Sequence, residues 1–108
     1  MGLMVRLQDE FGEVLEEIQD RKDLLGPYIP ALRDETYHCL RFIDLSGNAY
    51  FNRLQMDRFQ SEWDRLSRTV QESDKDVEVA VKKLFEQVKA LALKCQKEPH
   101  LYLKFEGD

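Results

Sequence analysis

The sequence predicts a single α+β domain over residues 1–108: a mainly antiparallel sheet of four to five strands, two consecutive helices (about 56–71 and 74–97) packed on one face, and a C-terminal strand at about 100–106. Three observations carry the prediction. Apolar and polar residues alternate near the start of the chain, through TYHCLRFI at 36–43, and again through LYLKF at 101–105. After Leu54 the apolar spacing changes from two to three or four, the period of a helix, and keeps it as far as Cys95. Clusters of Gly, Pro, Asn, Asp and Ser separate these runs.

Taken in order, Leu3, Val5 and Leu7 alternate with Met4, Arg6 and Gln8 as a first strand, and Gly12 supplies the positive φ that a short hairpin loop needs. Val14, Leu15 and Ile18 fit either a second strand or a helical stripe. The prolines at 27 and 30 break both patterns, so 19–35 reads as a connection; Leu24, Leu25, Tyr28, Ile29 and Leu32 make it apolar enough to pack over an edge of the sheet. The run from Thr36 to Leu54 reads as a hairpin, with YHCLRFI and AYF as its strands and DLSGN as its turn.

Met56, Phe59, Trp63, Leu66 and Val70 then form the apolar stripe of a helix, with Asp57 and Gln60 as a candidate capping pair. Ser73 and Asp76 offer the start of the next one, whose seam is Val77, Val81, Leu84, Val88, Leu91 and Cys95. Pro99 ends it, and Leu101, Leu103 and Phe105 point a last strand at the core, inserted between others.

Composition narrows the function classes. The net charge is −5 and the basic residues are scattered, which disfavours nucleic acid. No apolar run approaches the roughly 20 residues that span a bilayer, and no signal-peptide pattern opens the chain, so the expectation is a cytoplasmic protein without membrane partners. The two cysteines, Cys39 and Cys95, read as reduced, packed thiols.

No nucleotide fingerprint or zinc-protease helix is present, and no cofactor is implied. His38, Cys39, Cys95 and His100 are residue types that zinc favours, but neighbours on a strand point to opposite faces, which leaves at most three ligands. A Cys39–His100 nucleophile pair lacks a glycine-rich oxyanion segment and an orienting carboxylate. Ordinary packing is the expected role of Cys39, and a partly exposed imidazole that of His100.

The sheet face turned away from the helices is the more informative feature. On the hairpin reading it carries Tyr37, Cys39, Arg41, Ile43, Tyr102 and Lys104, with Tyr50 and Asn52 or their alternates, a mixture enriched in the residue types of binding surfaces. The expected function is therefore a non-catalytic protein-interaction role, as a homodimer or with a protein partner, through Tyr37, Arg41, Ile43, Tyr50, Tyr102 and Lys104. The alternative is a small-molecule-binding protein or a weak Cys/His enzyme, with a pocket under the 19–35 loop drawing on Tyr28, Cys39, Trp63 and His100.

CLRFIDLSGNAYFNRLQM at 39–56, together with HLYLKFEGD at 100–108, resembles a family of small uncharacterised bacterial proteins. Its pattern runs LRFID, a glycine turn, FNRLQ, helices and a terminal LYLKF-x-GD. The resemblance implies a bacterial unit of this size, for which an accessory or immunity-like role in a mobile or defence locus is the expectation, and no particular activity. The family turn reads D-P-Y-G-D where this chain has Asp44 to Asn48, which speaks against a charge-dependent role for that turn.

Overall fold

The structure, a computed structural model, describes residues 2–73 and 79–107. Strand β1 (Met4–Asp9) turns back into β2 (Val14–Gln19); a long irregular segment leads to β3 (Asn48–Asn52), then come α1 (Met56–Ser73), α2 (Val79–Lys97) and β4 (Leu101–Glu106). The sheet order is β2-β1-β4-β3, antiparallel throughout. The last strand thus lies in the middle of the sheet, paired with β1 on one side and β3 on the other, as the sequence predicts. The expected starts at Asp76 and Val77 for the second helix lie outside the described residues.

The β1–β2 turn is built by one side chain. Asp9 accepts the N–H of Phe11 and of Glu13, each at 2.9 Å, and Gly12 takes φ 83, the left-handed conformation that costs glycine nothing. A bulge between Leu7 and Gln8 leaves Leu15 of β2 without a direct partner.

Leu3, Val5, Leu7, Phe51, Leu101, Leu103 and Phe105 meet the helices in one core. At its centre Trp63 is 1% exposed, packs on Phe59, Phe85 and Phe105, and donates its indole N–H to the Phe85 carbonyl at 3.0 Å. The reciprocal capping pair lies ahead of Asp57 and Gln60, on the 3-10 turn Arg53–Gln55 that leads into the first helix. Asn52 accepts from the Leu54 and Gln55 amides, and the Gln55 side chain accepts from the Asn52 amide.

The expected strand at Tyr37–Ile43 does not form. That run is a 3-10 turn, Leu40–Phe42, closed by i+3 bonds from Phe42 to Cys39 and from Ile43 to Leu40. Its amides are claimed from elsewhere. The Glu62 carboxylate on α1, 6% exposed, accepts the N–H groups of His38 (2.8 Å), Cys39 (2.9 Å) and Leu40 (3.1 Å), leaving none of these for a strand ladder. Arg65, one turn along α1, donates to the Thr36 carbonyl at 2.6 Å and lies 3.9 Å over the Tyr37 ring.

A second buried carboxylate fixes the near end of the segment, where Asp20, 3% exposed, accepts from Leu24 and Leu25 at 2.8 Å each. Leu25 is fully buried and Leu24, Tyr28 and Ile29 pack on the core, as expected of an apolar connection, but Leu32 is 62% exposed. The turn at Asp44–Asn48 is present, with Ser46 N–H donating to the Asp44 carboxylate, and it leads into β3 rather than joining two strands. Gly107 donates to the Gly47 carbonyl there, and a Cβ on it would stand 2.4 Å from a backbone atom of Leu45.

Candidate functional site

The sheet has a core face and an open one. On the open face the register lines up Gln19, Met4, Glu106 and Asn48, then Glu17, Arg6, Lys104 and Tyr50, then Gln8, Tyr102 and Asn52. Each of these side chains keeps part of its surface in solvent.

The middle row sets two like charges, Arg6 and Lys104, directly across from one another, an arrangement that repels unless compensated. The compensation is built in. Arg6 donates to Glu17 at 2.9 Å and to Glu106 at 3.0 Å, Glu106 also lies 3.6 Å from the Lys104 ammonium, and Lys104 sits 5.4 Å over the Tyr50 ring. Hydrogen bonds from Gln19 and then Arg6 hold the Glu17 carboxyl below the usual range. Two cations and two anions thus form a network of zero formal charge between Tyr50 and Tyr102, on a chain whose total is −5.

Of the residues predicted for this face, Tyr50, Tyr102 and Lys104 lie on it and Tyr37, Cys39, Arg41 and Ile43 do not. Tyr37 and Ile43 belong to the irregular segment and are buried in the core. Arg41 lines a groove of about 650 Å³ between Ile29–Leu32 and Arg41–Leu45, next to Asn48. Phe42 and Leu45, 52% and 45% exposed, form its walls with Leu32; the Arg41 guanidinium lies 4.8 Å over the Phe42 ring, and its buried Nε–H has no acceptor among the described residues. A second groove of about 650 Å³, flanked by Thr36 and His38, runs along Arg58, Arg65 and Arg68 of α1.

The four residues of the expected pocket are placed apart. Trp63 is at the core centre, Tyr28 packs against the core from the connection, and Cys39 abuts Glu62. His100, which begins the approach to β4, is exposed with its Nδ1 3.4 Å from Glu10. Burial first, then the negative charge of Glu62, pushes the Cys39 thiol up, with Arg58 opposing. Cys95, fully buried with its S–H toward the Leu101 carbonyl, is pushed up to about 11 by burial. Neither thiol is activated at neutral pH.

Arg6, Glu17 and Glu106 were not among the residues that the sequence marks out. Their positions opposite the core residues of their strands follow from alternation, but their union depends on β4 lying beside β1, which no local pattern encodes. Comparison with protein-family models, curated proteins and solved structures finds no match for this chain.

Proposed function

We propose that this chain is a non-catalytic interaction domain that pairs with a second copy through the open face of its sheet, as a cytoplasmic bacterial accessory or immunity-like protein. The observation that carries the pairing is the zero-charge network of Glu17, Arg6, Glu106 and Lys104, set between Tyr50 and Tyr102. Two copies at −5 repel as wholes, and a face whose charges are already paired is the surface on which they approach at least cost. Tyrosines beside it offer contact area with few rotors to freeze. The free thiols Cys39 and Cys95 suit a reducing compartment.

Four strands about 4.8 Å apart and about six residues long give a face of roughly 20 by 20 Å, at the small end of specific interfaces, so the dimer is expected in the micromolar range or weaker. Light scattering across a concentration series up to about 1 mM tests this. The expected result is an average mass that rises with concentration and that Tyr50→Glu or Tyr102→Glu lowers at every concentration without loss of helical signal. A monomer throughout, or a dimer indifferent to both substitutions, overturns the proposal.

A further inference from the structure

The open sheet face leaves two features unused, and they stand at opposite ends of the strands. Phe11, at the tip of the β1–β2 turn, is 87% exposed, the highest value among the large hydrophobic side chains described. Such exposure on a rigid tip is not a fraying end. Asp9 holds the backbone of the turn by two hydrogen bonds, so the residue that carries the ring is fixed at the tip, with Glu10 and Glu13 on the same turn. Glu10 lies beside His100, while Glu13 has no cation partner among the described residues.

At the other end is the groove walled by Leu32, Phe42 and Leu45. It is apolar, open, and fixed by a segment that runs from Asp20 to Gly47 without a strand or an α-helix. Ordered loops of that length are uncommon and carry function more often than not. Here two buried carboxylates, Asp20 and Glu62, hold the segment in place, and three large apolar side chains are nonetheless left in solvent at one spot. Arg41 adds a cation with no carboxylate partner among the described residues, and Asp44, the acidic residue of the lining, spends an oxygen on the Ser46 amide of its own turn.

The two ends complement each other: an aromatic tip whose turn carries a carboxylate, Glu13, and an apolar groove with a guanidinium, Arg41, neither of them in an ion pair among the described residues. The register places them apart. Asp9 pairs with Leu101 at the tip end of the sheet, whereas Met4, Glu106 and Asn48 align at the groove end, so a chain cannot fill its own groove. We propose that the Phe11 tip of one copy docks in the Leu32–Phe42–Leu45 groove of a second, with Glu13 against Arg41, joining copies head to tail along the strand direction. A contact of this kind is heterologous: it does not close on itself at two copies, and it extends into a chain or a ring. It is separate from the sheet-face pairing, which is two-fold and uses neither end.

The test uses the full chain carrying Tyr50→Glu, which removes the sheet-face pairing, in sedimentation equilibrium up to about 1 mM, since a contact this small is weak. The expected result is an average mass that keeps rising with concentration past the dimer, and rises less at high salt because the Glu13–Arg41 pair is screened. Phe11→Asp at the tip and Leu32→Asp in the groove, both at exposed positions, should each weaken the association at least tenfold. An equimolar mixture of the two variants retains one good tip and one good groove, and should form a one-to-one pair that grows no further. A mass independent of concentration in the parent, unchanged association in Phe11→Asp, or a mixture that fails to pair while both variants remain folded by circular dichroism overturns the proposal. Loss of the sheet-face dimer leaves this result untouched, and the reverse holds, so the two proposals fail separately.

Discussion

Cys95 shows how far one side chain's chemistry follows from where it is placed. The helical seam marks it as a core position, and the structure buries it completely, with its S–H toward the Leu101 carbonyl. Burial favours the neutral thiol and pushes its pKa from 9.0 to about 11. Because the folded value is the higher one, the stabilisation is complete below the unfolded value and is lost as pH climbs from 9.0 to about 11, where the unfolded chain sheds its proton first. The expected loss across that window is about 2 to 3 kcal/mol. Urea unfolding at pH 8 and pH 11 on the parent and on Cys95→Ala measures it: the parent should lose more with pH than the variant, and equal slopes would show that the thiol is not the source. Cys39 shares the direction, since burial and Glu62 both oppose its thiolate. Its packed, unreactive state was legible in its apolar neighbours, whereas the nearby carboxylate was not, because Glu62 lies on another element.

The irregular segment is the element where sequence and structure part. YHCLRFI has the composition and alternation of a strand, and β propensity depends on context more than helix propensity does. The deciding contact is Glu62, a polar residue that the α1 pattern assigns to the solvated side, which the structure instead buries against the amides of His38, Cys39 and Leu40. Glu62→Ala strands these donors and should cost about 3 kcal/mol. Glu62→Gln keeps one oxygen for Cys39 and Leu40 and should cost about half as much. Urea unfolding gives both values, and hydrogen exchange at His38–Leu40 should quicken in both variants; a loss under about 1 kcal/mol for Glu62→Ala would mean that water serves these amides as well as the carboxylate does. The remaining elements were legible for ordinary reasons. The turn at Gly12, the stripe from Met56 to Val70 and the alternation from Leu101 to Phe105 each carry their instruction locally.

At the scale of the whole molecule, the open face was legible in part. Tyr102 and Lys104 were placed on it by alternation alone and Tyr50 as one of two alternatives for its strand, while Tyr37, Cys39, Arg41 and Ile43 were assigned to it through a strand that the protein does not make. The charge network needed the sheet order, a property of no single segment. That order also governs assembly of the fold: β1 and β3 share no partner but β4, and β4 is the last of the four strands to leave the ribosome. Until it does, the β1–β2 hairpin, β3 and the helices have no sheet to complete, and the pairing of Met4 with Glu106 closes a loop over nearly the entire sequence. The fold is therefore divisible at a natural seam. A chain stopped before His100 should remain a loosely packed fragment with a slot between β1 and β3, and a synthetic peptide of residues 100–107 supplied in trans should fill the slot and restore a cooperative thermal transition. A fragment that melts cooperatively without the peptide would show that the sheet does not depend on its middle strand. If the slot does take up the peptide, the molecule is a two-piece switch, folded only when its missing strand is delivered.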